Sequence, residues 1–408
     1  MYKFKSDFLK FIYDRGYIYQ ISDEESLDEV FFKGKVTAYI GFDCTAPNLH
    51  IGSLMQILLL KHLQDFGHEP IALIGGATSK VGDPSLKDKS RKILTKEEVD
   101  TNIKGIKKVF DKFLDTKKGK IKILNNDDWL SSLNYIDFLR KVGSNFSVNR
   151  MLSFDSVKLR LEREQPLSFL EFNYMVMQGY DFFELNKKHN CILQMGGSDQ
   201  WGNIVCGIDL ARRLSGANLY GLTTPLLTTS SGEKMGKTEK GAVWLSYDED
   251  NSDFSTHPRD FWNYWRDKTE NESVGKLMRL FTNLPLKEIE KYEKLKNEEI
   301  EISKEVLATN ITEMVHGKDS EWDSVAEFIL KKNELDKGIG LLALLSNDYT
   351  ELTSSNSESR RFVKSNAVKI NDKLISDEKY VVTLKDFESQ NVIKISLGKK
   401  KHILIKLT

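Results

Sequence analysis

Leu49-His50-Ile51-Gly52-Ser53 stands between two patterned stretches, and its reading decides the fold. Before it, residues 35–42 are apolar and rich in β-formers, a buried strand leading into a loop. The turn residues of 43–48 follow. After it, residues 51–66 repeat apolar side chains at helical spacing (Ile51, Leu54, Met55, Leu58, Leu59) and stop at Gly67. A short apolar run, 70–75, comes next. Strand, helix and strand within about forty residues form a βαβ unit, hence a parallel sheet with right-handed crossovers. Residues 120–124 and 192–195 read as further strands of the same sheet, with helical stretches between them.

About 180 residues further on lies Lys234-Met235-Gly236-Lys237-Thr238, flanked by Gly232 and Gly241. Either motif alone is weak: His50 could simply cap a helix, and the lysine loop could be solvated. In this order they offer two phosphate-binding surfaces. Backbone N–H groups and the helix dipole collect anions at a helix N-terminus. Two lysines three apart can close over a polyphosphate from the opposite side. The G-x-x-x-x-G-K-[ST] spacing of a P-loop is absent, and no G-x-G-x-x-G follows the first strand.

The remaining composition narrows the class. A chain of 408 residues suits two or three domains. Sixty Lys and Arg balance sixty Asp and Glu, which argues against bulk coating of nucleic acid but not against a local basic patch. Cys44, Cys191 and Cys206 show no C-x-x-C spacing, so neither a disulfide framework nor a zinc knuckle is expected, and a reducing cytoplasm is. No apolar run reaches membrane-spanning length. Aromatic residues at helical spacing (Phe4, Phe8, Phe11) make the N-terminus a docking helix. Residues 246–335 read as almost wholly helical, with no strand, and 338–340 as a linker. Between 358 and 406 there are 12 Lys or Arg against 6 Asp or Glu, a local excess of six positive charges.

Several segments together resemble the bacterial-type tyrosyl-tRNA synthetases, class I aminoacyl-tRNA synthetases. Residues 49–53 are similar to the HIGH signature and 234–238 to the KMSKS signature. Tyr39-Ile40-Gly41-Phe42-Asp43, Gly75-Gly76-Ala77-Thr78 with Val81-Gly82-Asp83-Pro84, Glu171-Phe172-Asn173-Tyr174 with Gln178-Gly179-Tyr180-Asp181, and the run from Gln194 to Asn203 also match family segments. The resemblance implies a Rossmann-like α/β catalytic domain over 1–245, an α-helical domain facing the tRNA anticodon side over 246–337, and a small α+β, S4-like RNA-binding domain over 338–408. It implies activation of L-tyrosine by ATP with Mg²⁺, transfer to tRNA(Tyr), a homodimer, and no resident structural metal. Helices around 135–146 are candidates for the dimer contact.

The implied roles follow the family motifs. Tyr39 and Asp181 would meet the substrate phenol. Tyr174, Gln178 and Asp83 would hold the α-amino group, with Gln200 near the carboxylate. Gly41, Asp43, Gly52, Ser53, Gly197 and Asp199 would line the ATP site. Thr45, His50, Lys234, Lys237 and Thr238 would stabilise the transition state. Arg360, Arg361, Lys364, Lys399 and Lys400 would meet RNA phosphates. Ser53 stands where many relatives carry His or Asn, and Gly236 where the generic signature has Ser.

Tyr174, Gln178 and Asp181 fall on one helix face by their spacing alone, as a cleft wall or a polar surface. A buried carboxylate and phenol that expect a hydroxyl are left unpaired when phenylalanine binds, which makes such a pair selective. Two other readings stand further off. A non-catalytic RNA-binding descendant should have lost a loop lysine or a phenol-reading residue, and all are present. A tryptophanyl relative would lack the Tyr39/Asp181 pair and the basic tail.

Overall fold

The apolar runs flanking His50 build the centre of a six-stranded sheet. Its strands are β1 (Gln20–Ile21), β2 (Thr37–Asp43), β3 (Glu69–Gly75), β4 (Lys122–Asn125), β5 (Cys191–Gly197) and β6 (Tyr220–Thr224), in the order β1-β6-β5-β2-β3-β4. All neighbours are parallel except the edge strand β1. The structure is a computed structural model. It describes residues 2–83, 94–116, 119–228, 235–238, 241–248, 250–318, 326–335, 338–346, 349–350, 352–371, 373–387, 392–398 and 401–407.

From β2 the chain winds outward through β3 and β4, then returns to the other side of β2 for β5 and β6. The crevice between β2 and β5 is therefore the switch point of the sheet, where ligands of open α/β folds bind beyond the strand C-termini. Gly41 to Asp43 and Gly196 to Gly197 lie at those ends.

The expected strands and helix appear with shifts of one or two residues. Strand β6 was not expected. Its residues are buried throughout, so no alternation marks them.

The helix Ile51–Asp65 is buried nearly all round, with Leu54, Ile57, Leu58, Leu60 and Leu63 covered on different faces. It is enclosed by the sheet, the N-terminal helix Asp7–Asp14 and the helices that follow residue 257. Those helices, Pro258–Lys268, Val274–Phe281, Leu286–Tyr292 and Ile300–His316, share one continuous core with the sheet through Phe261, Trp265 and Phe281. Arg15 is buried and donates to the carbonyls of Arg279, Thr282 and Leu284 at 2.7–2.9 Å. It thereby caps the C-terminus of Val274–Phe281. The amphipathic stretch read over 289–302 is broken, since residues 293–299 leave the α-helix and Asn297 takes a left-handed conformation.

Two compact units result, Met1–Ser320 and Glu321–Thr408. In the first, β7 (Lys237–Thr238) and β8 (Gly241–Ala242) form a two-residue antiparallel ladder. The second holds β9 (Ala326–Leu330), β10 (Ile339–Gly340), β11 (Val368–Ile370), β12 (Lys373–Leu374), β13 (Val381–Val382), β14 (Val392–Leu397) and β15 (Lys401–Leu407). Its main sheet runs β12-β11-β14-β15-β9, and β10 pairs with β13. The helix Asn356–Lys364 covers it with Val363 inward.

The reading of 246–335 as free of strands is corrected by β9. Its partner is β15, 77 residues away and parallel, so nothing local announces the pairing. Among the described residues, no helix is long and apolar enough to cross a membrane.

Candidate active site

Tyr39 leaves the middle of β2 toward the crevice, and Asp181 faces it from the helix Tyr174–His189. Both are almost fully buried, at 1% and 2% exposure. One oxygen of Asp181 accepts from Asn126 Nδ2 at 3.0 Å and the other from Trp129 Nε1 at 2.7 Å. Burial pushes the carboxyl up to about 7, against the pull of those two donors. The Tyr39 hydroxyl has no hydrogen-bond partner. Its own pKa is raised well above the ordinary value, first by burial and then by Asp181. A hydroxylated guest would satisfy what the protein leaves open.

The cavity around this pair measures about 210 Å³, more than ten times what one ordered water needs. Every residue assigned to tyrosine lines it: Tyr39, Asp83, Tyr174, Gln178, Asp181 and Gln200. Gly41, Asp43 and Gly197 of the ATP set line it too. The helical spacing of Tyr174, Gln178 and Asp181 thus makes a cleft wall. Opposite the phenol end lies a polar chain. Gln200 Nε2 donates to Asp83 at 2.9 Å, and Asn203 Nδ2 bridges the side-chain oxygens of Gln178 and Gln200. Tyr174 donates to both oxygens of Asp43 at 3.1–3.2 Å, and the Thr78 hydroxyl donates to Asp43 at 3.0 Å. Asp43, assigned to the nucleotide, therefore also orients a residue assigned to the amino acid.

Asn126, Trp129 and Thr78 were missed by the sequence reading. The available signal was their place just past the C-termini of β3 and β4, where a parallel sheet exposes its site.

His50 is the N-cap of the helix Ile51–Asp65, its Nδ1 accepting from Gly52 N–H at 2.9 Å. An accepting Nδ1 leaves the proton of the neutral ring on Nε2, so capping and donation are compatible. Gly52 was expected to make room for a nucleotide. A Cβ there would lie 2.6 Å from the His50 ring, so the glycine first makes room for its own cap.

The second signature arrives at the same helix end. Gly236 has φ +97°, and a Cβ on it would sit 3.4 Å from Gly52 N and Ile51 Cβ. That conformation explains a glycine where the generic signature has serine. Ile51 N–H donates to Val243, and Val243 N–H donates to Gly236, both at 2.9 Å. Residues 51 and 236 are thus linked through one backbone step. Lys237 and Thr238 form β7, and only their backbone is described. Lys234 lies outside the described residues. Thr45 is exposed, and neither Thr45, Ser53 nor Asp199 lines the cavity. Among the described residues, no His, Cys, Asp or Glu cluster could hold a metal, and all three cysteines are free and buried.

Known proteins match this chain. A family model described as tRNA synthetases class I (W and Y) matches residues 33–329, and one described as the tyrosine–tRNA ligase SYY-like C-terminal domain matches 329–405. A tyrosine–tRNA ligase of Mesorhizobium japonicum is 52% identical, covering 99% of both chains. One of Rhodopseudomonas palustris is 49% identical over the full length of both. The chain belongs to the tyrosine–tRNA ligases. The fold agrees: a C-terminally truncated mitochondrial tyrosyl-tRNA synthetase of Aspergillus nidulans superposes with a TM-score of 0.66 at 29% identity, over 78% of this chain and 91% of that one.

In this ligase the second unit presents the helix Asn356–Lys364 with Arg360, Arg361 and Lys364 exposed. Arg360 and Lys364 share Glu378, at 3.2 and 3.8 Å. Part of the expected positive face is therefore neutralised within the unit. Lys399 and Lys400 lie outside the described residues.

Proposed function

We infer that the chain joins L-tyrosine to tRNA(Tyr) in two steps, with Mg²⁺–ATP as substrate. The carboxylate of tyrosine attacks the α-phosphorus of ATP, forming tyrosyl-adenylate as pyrophosphate leaves. A hydroxyl of the terminal tRNA ribose then attacks the acyl carbon, and AMP leaves with the bonding pair.

The observation that carries this is the Tyr39 hydroxyl, buried without a partner beside the doubly held Asp181 carboxylate at the switch point of the sheet. That pair would read the substrate hydroxyl. Asp83, Tyr174 and Gln178 would take the ammonium group, and Gln200 the carboxylate. Gly41, Asp43, Gly52, Ser53, Gly197 and Asp199 would border the nucleotide. Positioning and charge neutralisation carry the chemistry. Thr45, His50, Lys234, Lys237 and Thr238 would stabilise the charge that develops on the phosphates. The approach of Gly236 to Gly52 supports their acting together.

Residues 1–245 would hold both signatures, 246–320 would face the anticodon side, and the second unit, Glu321–Thr408, which takes in β9 and so begins before the expected 338, would bind RNA. Arg360, Arg361, Lys364, Lys399 and Lys400 would meet phosphates there. Tyr135, Ile136, Val148 and Phe169 are large apolar side chains 57–69% exposed within one stretch of chain, which supports a homodimer through that region. Three reduced cysteines support a cytoplasmic enzyme.

Amino-acid-dependent ATP–pyrophosphate exchange tests the reading. Exchange with tyrosine, and little with phenylalanine or tryptophan, is expected. Absence of exchange with every amino acid would favour an RNA-binding protein built on the same scaffold.

A further inference from the structure

Between the two signature lysines lies one backbone amide with a specific tether. Gly236 is buried, and its N–H donates to the hydroxyl of Tyr264 at 2.7 Å. Tyr264 belongs to the helix Pro258–Lys268, outside the residues that line the cavity. Its ring is 8% exposed and packs edge-on against Trp265, with centroids 6.0 Å apart. The Gly236 carbonyl accepts from Val243, and Met235 N–H donates to Leu227 at 2.9 Å. The Met235 side chain enters the same core as Tyr264. The middle of the signature is thus held at three backbone points. Two use main-chain partners from neighbouring sequence, and the third uses one side-chain oxygen from a separate helix.

We propose that the Tyr264 hydroxyl is a positioning residue for adenylate formation, fixing the pivot from which Lys234 and Lys237 reach the phosphates. The proposal rests on the activity inferred above. Tyr264 touches no substrate and acts through Gly236. Without the hydroxyl, a buried N–H loses its partner, and the segment would be released from the N-terminus of Ile51–Asp65. Burial raises the phenol pKa, so the group stays protonated as the glycine amide's acceptor.

Tyr264→Phe removes the oxygen and keeps the packed ring. Three measurements are made on the full chain. In tyrosine-dependent ATP–pyrophosphate exchange, kcat is expected to fall about tenfold, the scale of one lost buried hydrogen bond. Equilibrium binding of tyrosine should stay within twofold, because the phenol pocket is untouched. Trypsin cleavage after Lys234 or Lys237 should accelerate several-fold. Unchanged kcat, or unchanged cleavage, overturns the proposal. A fall in tyrosine binding equal to the fall in kcat overturns it too, because the variant would then act through the general fold. Should the unmodified chain show no exchange with tyrosine, the inferred activity fails instead, and the cleavage comparison still decides whether Tyr264 holds the loop.

Discussion

Replacing Asp181 by Asn tests the recognition pair most directly, because the surroundings leave the variant no way to re-pair. Each carboxylate oxygen now accepts one donor, from Asn126 and from Trp129. An amide offers one acceptor and one NH₂, so one donor must face another. The indole cannot reverse its N–H. Asn126 cannot flip cheaply either, because its own oxygen accepts from Ala77 N–H at 2.8 Å while its nitrogen also donates to Thr78 at 3.1 Å. The variant therefore leaves one buried donor unmet, at about 1–3 kcal/mol. The substrate phenol also exchanges a charged acceptor for a neutral one, about 1 kcal/mol more. Tyrosine bears the second loss and phenylalanine does not. The ratio of kcat/KM for tyrosine over phenylalanine should therefore fall about fivefold, the equivalent of about 1 kcal/mol, read by ATP–pyrophosphate exchange with each amino acid.

The same substitution has a pH signature. Asp181 moves from an ordinary 3.8 to about 7 in the fold, which corresponds to about 4 kcal/mol. The folded state binds this proton more tightly, so its stabilising effect is complete below about pH 4 and is lost as pH rises through about 7. The stability difference between parent and Asp181→Asn should shift by several kcal/mol across that window. A selectivity ratio within twofold of the parent, together with a flat difference in stability, would refute the assignment.

Three further outcomes are expected. Tyr39→Phe removes a buried hydroxyl that lacks a partner, so thermal stability should rise by about 1 kcal/mol while the KM for tyrosine rises roughly tenfold; a loss of stability without a change in KM would show a structural role. Arg15→Met removes three carbonyl caps from the end of Val274–Phe281 and should lower the urea stability of the first unit by about 3 kcal/mol, followed by far-ultraviolet circular dichroism. Arg361→Ala should weaken tRNA binding and reduce the salt slope by about one, with ATP–pyrophosphate exchange unchanged; an equal fall in both activities would place Arg361 outside RNA binding.

Sequence alone determined whatever depends on neighbours along the chain. The strand–helix–strand period around His50, the capping position of His50 and the shared face of Tyr174, Gln178 and Asp181 follow from backbone geometry within a few residues, and the structure keeps all three. Tertiary structure decided the partners. Asn126 and Trp129 meet Asp181 across more than fifty residues, Gly236 meets Gly52 across 184, and β9 meets β15 across 77. Buried β6 and the Tyr264 tether belong with these. Such pairings leave no period in the sequence. They are selected only when the closing sheet buries polar groups and each must find a donor or acceptor within reach.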